Sequence, residues 1–394
     1  MPTSRHAAAA VAIVGGGSGH RSQSLTASCL AETGCAPRMI SWHDFLKTPA
    51  SLNRILEGAA WLRFDSPDQD VSELMALYQL GATQPGCPDG TMVLPGQEAL
   101  LAGGAVGSPS QLCLGLVAAV GMACQMAEQH GIATSTTARD LALSFDKQSA
   151  QRCFHSAGIA VPEILEGVID FDSLLAAMDK ADSHRVFIKL RHGAAAAGMM
   201  ALARHGKNWS AWTTAHMGLD GILRASRKMQ RLVCIKEIAR LLDRLAPLGL
   251  HVEVWIPKIG IAGETADVRL VQRGQTLCAA IVRSNRYPMT NLHLGGRRHP
   301  QAALVECVGQ KHWQAICRTA CDVARLFPDT ESLGIDIAVT SDARRHYVME
   351  ANVFGDFIKD KGQDTSDLHR LAMRQYRQRL NGLSASARAA SISI

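Results

Sequence analysis

The sequence predicts an α/β unit followed by a larger α+β part, and three observations lead there. Residues 8–14 are an apolar run that goes straight into Gly15-Gly16-Gly17-Ser18-Gly19, which reads as a buried first strand and its turn. Helical and strand-like segments then alternate, as at the start of a doubly wound sheet. From residue 144 the character changes, and the chain closes on two strands, 333–340 and 346–352, around a short polar loop. At 394 residues the chain is too long for one ordinary core.

Each element follows from its local pattern. After the first strand, 22–33 reads as a helix and 38–41 as a second strand. Gly- and Pro-rich sequence over 81–110 is loop-like, and 111–130 is a helix apolar nearly all round and therefore buried. A helix over 147–157 stops at Gly158, with Pro162 beyond it as a breaker. Residues 185–190 form a strand, 192–198 a loop of small residues, and 233–245 an amphipathic helix. Strands follow at 251–256, 266–272 and 277–283, then a helix at 313–327 and the closing hairpin. The expected domains are an α/β domain at 1–140, a small subdomain at 141–220, a second subdomain with a metal site at 221–382, and a disordered Ser- and Ala-rich tail at 383–394. No internal repeat is visible.

Composition narrows the function. Hydrophobic residues make up 47% and charged residues 19%, which is globular and neither disordered nor fibrous. No apolar run approaches the roughly 18 residues that cross a bilayer. The short stretch 7–14 behind Arg5 and His6 reads as a strand, not as the core of a signal peptide. The eleven cysteines are an odd, scattered set with no C-x-x-C pair, and Cys317 and Cys321 share one helix face, so a reducing cytoplasm is expected. The net charge of +6 is modest, and the basic residues come in small groups such as Arg297-Arg298 and Arg344-Arg345. That pattern argues against nucleic acid as a partner and suits a cleft for polyphosphate and carboxylate. No membrane partner is expected either.

Four constellations carry chemistry. The glycine turn at Gly15–Gly19 has a dinucleotide reading, but it lacks the third glycine of G-x-G-x-x-G and no Gly-Lys-Ser/Thr follows, so a tight βα turn is preferred. The closing hairpin is more informative. If 341–345 form its loop, Thr340 pairs with His346, Asp336 stands opposite Glu350, and Asn352 shares the face of Glu350. Two carboxylates that close repel unless something neutralises them, and hard oxygen ligands suit Mg²⁺. The competing reading is a polar face that meets water; the apolar flanks Ile335, Ile337, Val348 and Met349 count against it. Lys147 opens a helix in Phe145-Asp146-Lys147, and Lys189 ends a strand just before the loop 193–198, where a lysine can reach nucleotide phosphates; a solvated head is the alternative. Finally, His251–Pro257 alternates as a strand, Asp267 and Arg269 are i, i+2, and Arg283 ends the next strand before Thr290-Asn291-Leu292-His293-Leu294-Gly295-Gly296. Arg269 and Arg283 offer planar forks to phosphate or carboxylate, or else they bridge to Asp267 or Glu264.

In that order these segments resemble the ATP-grasp superfamily, closest to the RimK-type and glutathione-synthetase-like carboxylate–amine ligases. The resemblance covers about residues 144–357, and only loosely the N-terminal part, which is similar to a pre-ATP-grasp domain. It implies a two-subdomain ATP-grasp fold. ATP would be bound by Lys147, Lys189, Glu253, Val254, Trp255 and Asp267, and Mg²⁺ (with Mn²⁺ as substitute) by Asp336, Glu350 and Asn352. Arg269, Arg283 and Asn291 would fall where the acyl phosphate and substrate carboxylate sit. The implied activity joins a small-molecule or peptide carboxylate to an amine through an acyl phosphate, and a homodimer is the assembly expected by analogy. Two departures stand out: four alanines, Ala194–Ala197, in the phosphate loop, and Met289 where RimK-type proteins commonly have a basic residue. Two other classes stay open, an ATP-grasp-type phosphotransferase and a nucleotide-binding regulatory protein without turnover. Arg63, in Arg63-Phe64-Asp65-Ser66-Pro67, has both a structural and a substrate-facing reading.

Overall fold

The computed structural model describes residues 10–15, 20–67, 70–88, 90, 93–194, 196–353, 369–374 and 376–377. These fall into two compact units, one within Met1–Leu77, Ala119–Ala138 and Phe354–Ile394, the other within Tyr78–Ala118 and Arg139–Val353.

The first unit is built on a parallel sheet of β1 (Ala10–Val14), β2 (Arg38–Ile40), β3 (Ala59–Phe64) and β4 (Ala133–Thr134), ordered β2-β1-β3-β4. Such a sheet is covered on both faces, which explains the unbroken apolar run of β1. On one face Val11, Ile13 and Trp61 pack against Leu25 and Cys29 of α1 (His20–Thr33) and against Met373 and Tyr376. Gly15 is required where β1 ends. Its φ is +92°, and a Cβ there would lie 2.7 Å from both the Asp65 carbonyl and Trp42 Nε1. Ser41 caps α2 (Trp42–Lys47), taking the Asp44 amide at 2.9 Å, and α3 (Ser51–Leu56) leads into β3.

The chain continues through α4 (Val71–Ala82), α5 (Glu98–Ala102) and α6 (Pro109–Gln129), then α7 (Ala138–Phe145). Two expectations are corrected here. Region 81–110 carries the end of α4 and the whole of α5, so it is not all loop. By length and composition α6 is apolar enough to cross a membrane, because its two glycines and three glutamines hardly interrupt the apolar run. In this structure Leu116, Ala119, Val120, Ala123 and Ala127 of α6 are buried in the protein.

In the second unit, Asp146 caps α8 (Lys147–Ser156), and an Asp170/Ser173 capping box starts α9 (Phe171–Lys180). An antiparallel sheet follows in the order β8-β7-β6-β5-β9, from β5 (Arg185–Leu190), β6 (Met200–His205), β7 (Asn208–Met217), β8 (Leu223–Leu232) and β9 (Leu250–Val254). Val186, Ile188 and Leu190 pack against Leu174 and Met178 of α9 and Ile238, Leu241 and Leu242 of α10 (Ile235–Leu245). By strand alternation Phe187 and Lys189 face the other way. Strands β6, β7 and β8 escape the sequence reading. β8 is mostly polar, and a register shift between Thr213 and Ala215 breaks the period of two. Position 220, expected as a boundary, therefore lies inside this sheet, and the change of sheet comes after Val254.

The last sheet is ordered β13-β12-β11-β14-β15, with β10 (Gly260–Ile261) against β11. Its strands are β11 (Glu264–Arg273), β12 (Thr276–Asn285), β13 (Arg297–His299), β14 (Leu333–Val339) and β15 (His346–Asn352). Helices α11 (Gln301–Val308) and α12 (Gln310–Arg325) follow β13, and α12 buries Trp313, Ile316, Ala320 and Val323. The tail 383–394 and turn residues 16–19 lie outside the described residues.

Candidate active site

Two transverse rows of charge cross the six-stranded sheet. In one, Arg269 on β11 pairs with Asp336 on β14, which pairs with Glu350 on β15. Two residues back along β11, Asp267 pairs with Arg283 on β12. The opposition of Asp336 and Glu350 is as expected, but it arises from two departures that cancel. Val339, not Thr340, pairs with His346, because the Thr340 amide and hydroxyl close the turn on Arg345. A bulge between Ile337 and Asp336 then leaves Met349 unpaired and restores the register. The carbonyl of Met349 is taken up by Gln151 Nε2 at 3.2 Å.

Arg269 grips Asp336 with both arms, Nε to Oδ1 at 2.7 Å and an Nη to Oδ2 at 2.8 Å, and approaches Glu350 at 3.8 Å. Arg283 bridges Asp267 at 2.8 Å and Asp336 at 3.1 Å. Lys258 reaches Asp267 at 3.0 Å, and the Thr290 hydroxyl donates to the same carboxylate. Burial works against the Arg283 charge, but the two aspartates more than offset it and raise its pKa. Burial likewise opposes ionisation of Asp267, while Arg283 and Lys258 hold its pKa below its ordinary value. Asn352 shares the face of Glu350, its amide 3.3 Å from the carboxylate.

The five-stranded sheet contributes Lys189 and Glu253, which form a buried ion pair. His251 at 3.2 Å and Gln151 at 2.8 Å complete the shell of Glu253. Burial would raise the Glu253 pKa, but Lys189 and then His251 hold it down at about 2. Lys147, the first residue of α8, donates to the Gly193 carbonyl. Its position is fixed by Asp146, which caps α8 and takes both arms of the Arg191 guanidinium. Burial lowers the Lys147 pKa, with Glu350 resisting. Glu350 is likewise opposed by burial, yet Lys147, then Arg269 and Lys189, hold its pKa at about 2. Lysines on two elements and an arginine on a third thus act on one carboxylate.

Other expected residues lie apart from this cluster. The amides of Val254 and Trp255 are already bonded, to the Glu163 carbonyl at 2.8 Å and the Arg185 carbonyl at 3.0 Å. Both residues border a cavity of about 390 Å³ with Glu163, Arg185 and His205. Asn291 caps a short turn through its carbonyl, and no side-chain hydrogen bond of its own is found among the described residues. The two glycines of that segment are structural. Gly295 is left-handed (φ +82°), and a Cβ on Gly296 would lie 2.8 Å from the Thr290 carbonyl. Met289 is buried with Leu294 against Phe187 and Ala201, so its apolar character serves packing. Ala196 is left-handed in the alanine loop, where the Thr214 hydroxyl anchors its carbonyl at 2.6 Å. Sequence reasoning missed Gln151, Lys258 and Thr290. The signal for Gln151 was its place one helical turn beyond Lys147.

No protein-family model matches the chain, and no curated protein sequence does. Solved structures do. The ATP-grasp ligase PsnB complexed with minimal precursor superposes with a TM-score of 0.52 at 14% identity, over 93% of this chain and 97% of that one. The D-alanine–D-alanine ligase of Bacillus anthracis complexed with ATP gives 0.51 at 11%, over 93% and 95%. This is the ATP-grasp fold. The macrocyclase MdnC of Microcystis aeruginosa MRC, bound with precursor peptide MdnA, gives 0.51 at 12%, over 92% and 98%.

Proposed function

We propose that the chain is an ATP- and Mg²⁺-dependent carboxylate–amine ligase of the RimK and glutathione-synthetase kind. The observation that carries this reading is the register that sets Glu350 opposite Asp336 and beside Asn352, with Arg269 3.8 Å away and the charges of Lys147 and Lys189 acting on it. Two carboxylates and an amide oxygen form a hard donor set that fits Mg²⁺. Asp336, Glu350 and Asn352 would hold the ion, which when bound neutralises phosphate oxygens.

The chain's own residues account for the rest. Lys147 and Lys189 bind the nucleotide phosphates, next to the loop whose Gly193 carbonyl Lys147 already holds. Val254 and Trp255, which border the cavity of about 390 Å³, are the further nucleotide contacts expected, while the enclosed Glu253 and Asp267 would act by orienting Lys189 and Arg283. Arg269, Arg283 and Asn291 orient the substrate carboxylate and its acyl phosphate. A carboxylate oxygen attacks the γ-phosphorus while the P–O bond to ADP breaks and ADP leaves with the electron pair. The free amine then attacks the acyl carbon, the C–O bond to phosphate breaks, and the amine nitrogen loses its proton as phosphate departs. Catalysis is positioning and charge neutralisation, and no side-chain nucleophile is needed.

Two of the fold neighbours carry a precursor, one of them a precursor peptide, which makes peptides the first substrates to test. All eleven cysteines are free thiols, which supports a cytoplasmic setting, and a homodimer is the assembly we expect. The deciding experiment measures ADP release from ATP and Mg²⁺ with pooled amino acids and short peptides, with and without hydroxylamine. Hydroxamate that disappears in Glu350→Gln supports acyl-phosphate chemistry. ADP without hydroxamate, with acceptors other than carboxylates, replaces the ligase by a phosphotransferase, and ATP binding without ADP in any pool favours a regulatory protein.

A further inference from the structure

Three arginines are buried among the described residues: Arg63, Arg273 and Arg283. Arg273 pairs with Glu331, and Arg283 with Asp267 and Asp336. Arg63, on β3 of the first unit, is 8% exposed, and its Nε is buried without a hydrogen-bond partner. No ion pair of its guanidinium is found among the described residues. A guanidinium stays charged at any pH the protein meets, and a buried donor of a charged group left without an acceptor is unfavourable. The Arg63 Nε is such a donor, and an acceptor arriving from outside would satisfy it.

The fold shows where that partner would sit. Arg63 lies two residues beyond Trp61 and beside Ile13, so it belongs to the face on which Val11, Ile13 and Trp61 pack against Leu25 and Cys29 of α1. It is one step nearer the carboxyl edge of the parallel sheet. On α1, Ser22 precedes Leu25 by three residues and shares its face, one turn nearer the helix N-terminus. Ser22 is 6% exposed, and its Oγ is also buried without a partner. Two unsatisfied polar groups therefore belong to one layer, at the end where the first-turn N–H groups of a helix have no intrahelical acceptors. Asp65, two residues past Arg63, takes the Ser66 amide at 3.1 Å. In open parallel sheets ligands bind outside the carboxyl ends of the strands.

We infer that Arg63, Ser22 and the first turn of α1 form an oxyanion site that takes the carboxylate or phosphate group of a small molecule. Arg63 supplies a planar two-armed donor, Ser22 a hydroxyl donor, and the helix end a fixed partial positive charge. The site is independent of the ligase reading, since it needs neither nucleotide nor the Glu350 cluster.

The test is the melting temperature of the full chain in low-salt buffer, titrated with inorganic phosphate, with acetate, or with sodium chloride at matched ionic strength. Phosphate or acetate raises the melting temperature of the wild type and of Lys189→Ala, whereas chloride does not. The more effective anion tells a phosphoryl ligand from a carboxylate. Arg63→Met loses the response and, without ligand, melts no lower than the wild type, because a donor without an acceptor has been replaced by an apolar chain. Arg63→Lys keeps the charge but not the fork and needs at least ten times more anion. An anion response that persists in Arg63→Met, or no response in the wild type, overturns the proposal. If Arg63→Met does not fold, Ser22→Ala decides: a severalfold weaker response sustains the site, and an unchanged one removes it.

Discussion

The two sheets of the second unit handle buried charge in opposite ways. On the five-stranded sheet Lys189 and Glu253 close on each other, and His251 and Gln151 complete the shell. On the six-stranded sheet the charges of the two transverse rows are shared beyond any one pair. Lys258, Asp267, Arg283, Asp336, Arg269 and Glu350 follow one another as an alternating series. Glu350 stands at the open end, its side chain 28% exposed, while that of Glu253 is fully buried. An open series can be extended by a further ion, so its Glu350 end is where the proposed metal would add, whereas Lys189 would divide its charge between Glu253 and the proposed phosphate.

The comparison breaks most visibly at Arg283, the buried link between Asp267 and Asp336. Arg283→Met leaves two carboxylates without their shared cation and is expected to cost about 3–5 kcal/mol, read from urea unfolding. A loss below about 1 kcal/mol is what a screened surface pair gives, and it would mean the series does not act as a unit. At the open end the expectation inverts. Glu350→Gln keeps the shape and a hydrogen-bond acceptor for Asn352, so it melts near the wild type but loses about 10²–10³-fold in Mg²⁺-dependent turnover. Wild-type turnover in that variant would take the hairpin out of the chemistry.

Lys189 sharpens the contrast, because a closed pair has two functions to separate. Lys189→Ala is expected to weaken ATP binding by about 1.5–3 kcal/mol by calorimetry, the scale of a hydrogen bond to a charged group. It also strands Glu253, which is fully buried. Adding Glu253→Gln should therefore restore stability without restoring ATP affinity. If the double variant is no more stable than the single one, the pair is not what holds that face together.

How much of this was legible in the sequence depends on the range of each signal. The opposition of Asp336 and Glu350 follows from counting along one hairpin, and it survives only because a turn difference and the Met349 bulge offset each other. Nothing local announces that bulge; it is stabilised by Gln151, about two hundred residues away. Lys258 is not singled out by the sequence, because its partner Asp267 lies across the β10 hairpin and nothing in the local pattern joins them. Strand β8 is hidden by its polar composition and its pairing with β7 by a shifted register. Arg269 and Arg283 were open to a salt-bridging reading, and the structure finds Arg283 on Asp267 as that reading allowed, and on Asp336 as well. Spacing can propose partners along one or two strands. It cannot reveal a network that closes through a third.

The smallest effect expected is the pH dependence of stability near neutrality. Burial holds His192 down at about 4, and burial with His312 beside it does the same to His346. A base whose pKa is depressed by folding is neutral in the native state but takes a proton near pH 6.5 when unfolded. Its contribution is thus complete above pH 6.5 and shrinks as pH falls towards 4. Glu253 and Glu350, held at about 2, obey the carboxylate rule: their stabilisation is full above about pH 4.5 and lost as pH falls through 2. Between pH 8 and 6.5 stability should therefore change by about 0.4 kcal/mol for each of the two imidazoles, a little under 1 kcal/mol together. Below that range it declines in two stages, with imidazoles before carboxylates. His192→Gln should reduce the upper stage by about half, His346 supplying the rest, and leave the lower one intact, as read from melting temperature against pH. A curve that stays flat to pH 4.5 and falls only below it would assign the first protonation to the carboxylates, and the two imidazoles would then not be the buried neutral groups that their surroundings require.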